Sequence, residues 1–360
     1  MNAKDLAAVI TNFDIDEIEV GHFGNGHIND TFIVKKNGVK MVLQRLNTDV
    51  FKNGTGVMEN IVNVTEYIAK KMTEQGEDPY RKTLVFERAK DGKPYYLTES
   101  GSLFRMYTYI DKAYSVEKAT FAQMTDAAET LGKFYKLLSD YPAHTLNVAI
   151  PKFHDTRNYF NRFLDVVEKD AVARKASAQN EIDFVVAHEY LCDILNNGLA
   201  DGSLPLRVTH NDTKLNNILF DETTGKGLCV IDLDTVMPGS ILYDFGDAMR
   251  FGASTGPEDE KDLDKIWFDL DMFDAFTKGF AAQMKSCMTK GEIDNLVNSC
   301  KILTFECGVR FLEDYLKGDT YYKIHRPEHN LDRARTQFKL VADMEEKTQA
   351  MEGIVSKYFR

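Results

Sequence analysis

The sequence predicts an α+β chain of two lobes, a small β-rich N-lobe over residues 1–110 and a larger helical C-lobe over residues 111–360. Three observations carry this. Strand-type alternation and hairpin signals crowd the first segment, while apolar residues at helical spacing dominate the second. The length of 360 residues also exceeds what one hydrophobic core usually serves.

In chain order, residues 3–11 read as a short amphipathic helix. Ile18-Glu-Val-Gly-His-Phe23, Thr31-Phe-Ile-Val-Lys35 and Lys40-Met-Val-Leu-Gln44 read as strands, the last two joined by Asn37-Gly38, a strong hairpin turn. Val57, Ile61, Val64, Ile68 and Met72 mark a helix over 56–74. Strand signals return at Thr83-Leu-Val-Phe86, Tyr95-Tyr-Leu97 and over 103–110. Helical periodicity then covers 121–140, 156–170, 180–198, 262–286, 291–317 and 328–358. No internal repeat or low-complexity segment intervenes.

One stretch interrupts the helices and carries the chemistry. Val208-Thr-His-Asn-Asp-Thr-Lys-Leu-Asn-Asn-Ile-Leu219 contains an H-x-D-x-x-x-x-N array of His210, Asp212 and Asn217. The apolar run after it ends in Asp232. Phosphoryl transfer from a nucleotide needs a carboxylate facing the acceptor hydroxyl, and an amide and a second carboxylate holding Mg²⁺ on the phosphates. Asp212 suits the base, and Asn217 and Asp232 suit the metal. Residues 217–220 and 228–231 read as strands around a polar, Gly-containing turn over 221–227, so folding this hairpin brings Asn217 and Asp232 side by side at its open end. Two oxygen ligands there suit Mg²⁺, which fills its shell with phosphate and water. Lys214 can place a positive charge near the transferred group.

The nucleotide itself calls for other residues. Gly24-Asn-Gly-His-Ile-Asn-Asp30 joins the first two strands, and Gly24, Gly26 and Asn29 can let backbone N–H groups approach phosphate. A lysine is expected on the third strand, but that strand reads Met41-Val-Leu-Gln-Arg-Leu46. Gln44 or Arg45 stands in its place, and alternation lets only one of them face the site. Glu59 is the candidate partner on the following helix. The segment Met106-Tyr-Thr-Tyr109, with Met106, Tyr107 and Tyr109 as contacts, is expected to cover the adenine. Asp244-Phe-Gly246 spells the metal motif of protein kinases, but Asp232 already occupies the position after the hairpin. Asp244 and Asp247 are therefore expected to brace the catalytic loop. A small β-rich lobe, a helical lobe bearing the chemistry and nucleotide between them make a two-lobed protein-kinase-like fold.

Composition narrows the partners. A net charge of −12 and pI of 5.2 argue against nucleic acid or an anionic membrane. Five cysteines, odd in number and without a C-x-x-C pair, read as reduced thiols. With no signal-type N-terminus and no long apolar run, a soluble, cytoplasmic protein with no obligate protein partner is expected. His325 and His329 have i, i+4 spacing without a third metal ligand, and a metal site there is not expected.

These motifs resemble those of the aminoglycoside phosphotransferase and choline kinase superfamily. The resemblance extends through Gly24–Asn29, Arg207–Leu219, Ile231–Thr235, Met237–Ser240, Asp244–Asp247, Arg250–Thr255, Glu306-Cys-Gly, Arg310-Phe-Leu and Pro327–Asn330. The blocks at 207–219 and 231–255 are more similar to its N-acetylhexosamine 1-kinases. The resemblance implies transfer from ATP, with Mg²⁺, to the anomeric (C1) hydroxyl of GlcNAc or GalNAc. Asp212 is then the base, with His27, Arg310 and Tyr321 as sugar contacts beside it. Other acceptors remain open: an aminoglycoside, or a choline-like amine, whose aromatic cage favours Trp, while this chain has only Trp267. A nucleotide-binding module without activity is a third reading, which the missing strand lysine favours and the intact Asp212, Asn217 and Asp232 oppose.

Overall fold

The computed structural model describes residues 3–19 and 29–360. The smaller part comprises α1 (Ala3–Phe13), β1 (Glu17–Ile18), β2 (Asp30–Lys36), β3 (Val39–Leu46), α2 (Gly54–Glu74), β4 (Tyr96–Leu97) and β5 (Leu103–Thr108). Its strands form one antiparallel sheet in the order β1-β2-β3-β5-β4. Asn37 and Gly38 both take positive φ, 51° and 74°, as the tight turn between β2 and β3 requires. One face of the sheet packs Val34, Met41, Leu43, Phe104 and Met106 against Val9 and Phe13 of α1. Asn53 caps α2, whose apolar side (Met58, Ile61, Ile68) joins the main core.

The larger part begins with β6 (Ala113–Tyr114), α3 (Phe121–Leu137), α4 (Thr156–Lys169), α5 (Gln179–Ala187) and α6 (Ile194–Asp201). The strands β7 (Arg207–Thr209), β8 (Ile218–Asp221), β9 (Gly227–Val230) and β10 (Met237–Gly239) follow. Then come α7 (Ile241–Gly252), α8 (Leu270–Met284), α9 (Lys290–Asp294), α10 (Leu296–Leu316), α11 (His329–Glu346) and α12 (Thr348–Phe359). The long helix α10 is buried almost throughout and packs on α4, α7 and α11, while α3 packs on α8. A small antiparallel sheet lobe on a larger helical part is the predicted fold class.

Several predicted elements are divided or shortened, each for a local reason. The helix expected over 180–198 breaks at His188, whose Nδ1 hydrogen-bonds the Phe184 carbonyl at 2.7 Å and ends the ladder. The one expected over 262–286 starts only at Leu270, where Asp269 caps the N–H groups of Asp271 and Met272. Before it, extended chain buries Ile266 and Phe268. Asn295, bonded to the Gly291 carbonyl, separates α9 from α10. Lys347 separates α11 from α12, its ammonium bonded to Asp343 and the Phe268 carbonyl. Residues 83–86 form no strand: the segment runs beside β5 with one isolated bridge, Phe86 to Tyr107.

Candidate active site

The candidate catalytic motif lies in the loop between β7 and β8. Strands β7 and β10 pair, with Thr209 opposite Met237, and so hold the two ends of the site in register. Asn211 and Asp232 both take the left-handed conformation, with φ of 67° and 60°. Asn and Asp tolerate it better than most side chains. Two such residues in one loop pair mark backbone bent to aim side chains.

Asp244 secures the loop from below. Its carboxylate, 0% exposed on α7, accepts the N–H groups of His210 at 2.8 Å and Asn211 at 2.6 Å, and the Tyr135 hydroxyl at 2.6 Å. Burial pushes this carboxyl up, against those donors and the nearby His210. Thr213 Oγ1 donates to the Asp244 carbonyl at 2.7 Å. Phe245 packs on Phe273, Phe276 and Phe280. A Cβ on Gly246 would stand 2.4 Å from the Ser299 carbonyl on α10. The D-F-G sequence is therefore a brace, a core residue and a close helix contact. Asp247 also faces the loop. Burial alone would push its carboxyl up, but the charges of Arg250, Lys214 and His154 hold it below the usual range.

His210 joins the loop to the strand after it. Its Nε2 donates to the Ile231 carbonyl at 2.9 Å, which leaves Nδ1 to accept the Asp212 N–H at 3.2 Å. Asp212 faces Lys214 at 3.0 Å. Asn217 Nδ2 donates to the Asp212 carbonyl at 2.8 Å and to its Oδ2 at 3.3 Å, leaving Oδ1 as the amide atom able to bind a cation. Hairpin pairing runs Ile218 to Val230 and Leu219 to Cys229, then shifts at a bulge before Phe220 pairs with Gly227. At the open end Asn217 stands opposite Ile231, whose N–H it accepts at 2.9 Å. Asp232, expected opposite Asn217, thus lies one residue beyond that position, and its left-handed backbone turns the chain there.

The acidic groups fit a hard cation. Asp232 is itself open to solvent, and desolvation by the protein packed around it, then the charges of Asp234 and Asp212, push its carboxyl up to about 6. An oxygen-only set with surplus negative charge suits Mg²⁺, which needs only one or two protein groups beside phosphate and water. Among the described residues no three His, Cys, Asp or Glu side chains converge as a complete metal cage, the 325/329 pair included. There His329 bonds Asp259 and accepts the His325 N–H.

Sequence reasoning passed over Arg105, on β5. It is 3% exposed and ion-paired with Asp234 across the lobes. Gln44 Oε1 accepts from its Nε at 2.9 Å and Nη2 at 2.7 Å. Asn29 Nδ2 donates to the other Asp234 oxygen at 2.6 Å. A lone charge inside the apolar run Leu-Phe-Arg-Met was the available signal. Gln44 thus lies in the inter-lobe network. Arg45, on the opposite face, pairs with Asp30 at 2.7 Å. Glu59 does not pair with the strand cation: it accepts from Asn147 of the larger part, and the α2 residue at Arg105 is Met58.

The other candidates separate. Met106 is turned into the outer core against α1, and its carbonyl accepts the Glu87 N–H at 2.8 Å, so it offers no adenine edge. Tyr107 faces the other way, within reach of the charges of Arg105, Asp232 and Asp234. Tyr109 N–H meets the Lys40 carbonyl at 3.4 Å. Gly24, Gly26 and His27 lie outside the described residues.

Arg310 and Tyr321 line one cleft of about 320 Å³ with Tyr159, Arg162, Glu313 and Tyr322. The Arg310 guanidinium lies over the Tyr159, Phe153 and Tyr322 rings at 5.3, 5.9 and 6.0 Å. Tyr321 lies on the loop after α10, 75% exposed. Buried Asp314 fixes that loop by accepting the N–H groups of Thr320, Tyr321 and Tyr322. Between cleft and catalytic loop lie Glu306 and His154, 2.9 Å apart, with His154 close enough to feel both Asp247 and Arg310.

Residues 22–275 match the family model described as APH, phosphotransferase enzyme family. Among solved structures, an aminoglycoside phosphotransferase from Alicyclobacillus acidocaldarius superposes with a TM-score of 0.59 at 13% identity, covering 97% of this chain and 94% of that one. A choline kinase from Cryptosporidium parvum gives 0.59 at 13% identity, covering both chains fully (100% and 100%). A spectinomycin phosphotransferase solved with ADP and spectinomycin gives 0.55 at 14%, covering 97% and 99%. At these identities the likeness is one of fold.

Proposed function

The chain belongs to the phosphotransferase enzyme family whose model it matches, and from that premise we propose that it phosphorylates the anomeric hydroxyl of an N-acetylhexosamine such as GlcNAc or GalNAc, using ATP and Mg²⁺. Phosphoryl transfer asks a protein mainly for positioning and charge. Asp212 accepts the proton of the acceptor hydroxyl, held in place by Asn217 and Lys214. Asn217 and Asp232 hold Mg²⁺, which when bound neutralises charge on the phosphates. Lys214 supplies a second cation near the transferred group. Gly24, Gly26 and Asn29 belong to the phosphate approach, and Tyr107 and Tyr109 to the nucleotide side of the cleft. A spectinomycin phosphotransferase of the same fold binds ADP, which supports a nucleotide donor.

The observation that carries the acceptor reading is the Arg310 cleft. Sugar rings are held by polar groups on hydroxyls and aromatic faces on C–H surfaces, and this cleft offers both. A choline-like cation needs free ring faces, but here Tyr159, Phe153 and Tyr322 already face the Arg310 guanidinium. The lining sets Arg162, Arg310 and Lys317 against Glu313 and Asp314, with Arg162 and Lys317 both paired to Glu313, a small cationic excess that does not favour a polycationic aminoglycoside. An ADP-release assay with Mg-ATP and a panel of free hexoses, N-acetylhexosamines, choline and kanamycin tests this. Turnover on GlcNAc or GalNAc at least ~10-fold above choline and kanamycin, a gap of about 1.4 kcal/mol, is the expected result. Preference for either amine rejects the sugar reading.

A further inference from the structure

We propose that Arg105 is the small lobe's phosphate-binding cation, replacing from β5 the lysine that β3 lacks. The inference rests on the nucleotide reading above and assigns a residue to it. In the β3–β5 ladder Gln44 stands directly opposite Arg105, and Arg45 opposite Phe104. Directly opposed residues share a face of the sheet, so Gln44 and Arg105 point together to the inter-lobe side. Phe104 packs in the outer core against α1, and Arg45, on that same face, is spent on half-exposed Asp30. Of Gln44 and Arg45, the one facing the site is thus an uncharged amide, and its oxygen holds Arg105 by two hydrogen bonds.

Arg105 also sits where the parts of a phosphate site meet. Its Nη1 reaches Asp234, two residues beyond Asp232. Asp232 itself is close enough for its charge to act on Arg105. Asp234's other oxygen is held by Asn29, which ends the glycine-bearing segment. Asp212, Asp232 and Asp234 bring three carboxylates to this region, and a nucleotide triphosphate adds still more negative charge. A guanidinium has five N–H donors in a planar fork that matches phosphate oxygens. Two are committed to Gln44, and Nη1 faces Asp234 and, at 3.9 Å, the Met58 sulfur. The second Nη2 hydrogen remains for a phosphate oxygen, and the Gln44 clamp fixes the direction in which it points. A lock between lobes alone would not need a fork held this way beside the metal-side carboxylates.

Calorimetry on the full chain with Mg-ATP and with AMP tests the assignment, because AMP lacks the β- and γ-phosphates. Arg105→Met is expected to weaken ATP about tenfold or more, as loss of a charge-assisted hydrogen bond does, and to change AMP affinity by less than about threefold. Adding Gln44→Lys to Arg105→Met returns a cation from β3 and is expected to restore most of the ATP-over-AMP ratio. If Arg105→Met cannot fold with Asp234 left unpaired, Arg105→Met/Asp234→Asn is read against Asp234→Asn alone by the same ratio. A ratio unchanged on loss of Arg105, whatever happens to the melting temperature, overturns the assignment while leaving the nucleotide reading intact. A wild-type chain that binds neither nucleotide overturns both.

Discussion

At the scale of single residues, the roles of the site's carboxylates follow from their surroundings. Asp212 lies between Lys214 and Asn217, at the mouth of the loop, while Asp244 is enclosed and spends its oxygens on backbone N–H groups. Replacing Asp212 by Asn is expected to lower kcat about 10²- to 10⁴-fold, the usual range for a general base. Nucleotide affinity, measured by calorimetry on the same variant, is expected to stay within about threefold, since a base acts on the hydroxyl and not on ground-state nucleotide. Turnover near wild type removes Asp212 from that role. Asp232 behaves differently. With its carboxyl raised to about 6 in the folded chain, above an ordinary aspartate, its contribution to stability is present at low pH and is lost as pH rises through about 6. Metal-free Asp232→Asn is therefore expected to be more stable than wild type at pH 8, by a margin that solvent screening of this exposed side chain keeps small, with the gain vanishing toward pH 4. Thermal melts in EDTA across that pH range measure it, and equal melting temperatures at pH 8 contradict it. Asp212, Asn217 and Asp232 were legible because their spacing is local. Arg105 was not, because its partners Gln44 and Asp234 lie 61 and 129 residues away in sequence.

At the scale of elements, the site is a hairpin and a loop held from behind by helices. The Asn37-Gly38 turn and the hairpin around residues 221–227 were readable from turn chemistry and alternation. The bulge at Leu219/Phe220 and the left-handed turn at Asp232 were not, since neither changes the apolar pattern. Helix ends were the least legible, because His188, Asn295 and Lys347 end helices through side-chain bonds to backbone or to distant groups rather than through Gly or Pro. The brace from α3 and α7 makes a prediction of its own. Tyr135→Phe removes one hydrogen bond to buried Asp244 while leaving the loop N–H bonds. It is expected to cost about 1–3 kcal/mol of stability and to lower kcat more than it raises either KM, because the loop it steadies carries the proposed base. Denaturant melts and steady-state kinetics measure the two effects, and an unchanged kcat contradicts the brace.

At the scale of the whole molecule, two parts with separate packing meet through polar links as well as core. The small sheet buries its outer face on α1, while α2 joins the main core of the larger part. Arg105–Asp234 and Asn29–Asp234 cross between the parts near the metal-side loop. Arg81 ties the chain beyond β5 to the catalytic hairpin through Asp221 at 2.8 Å and the Asp111 and Lys112 carbonyls. No described helix is long and apolar enough to cross a membrane. The two-part organisation was legible because hydrophobic period changes along the chain, whereas the links between parts depend on single polar residues that no period reveals. With this cross-linking, Mg-ATP is expected to raise the melting temperature more than ATP in EDTA does, because in the proposed site only the metal complex engages the carboxylates and both lobes. Equal shifts argue against the metal side of the site.

The proposed reaction moves the terminal phosphoryl group of ATP to a sugar's anomeric oxygen. Phosphorus NMR of the product from GlcNAc and Mg-ATP, before and after mild acid, reports on that bond. One sugar phosphate coupled to the anomeric proton is expected, lost to inorganic phosphate on acid treatment and strongly reduced with Asp212→Asn. An acid-stable 6-phosphate, or no sugar phosphate while choline or kanamycin is phosphorylated, contradicts it.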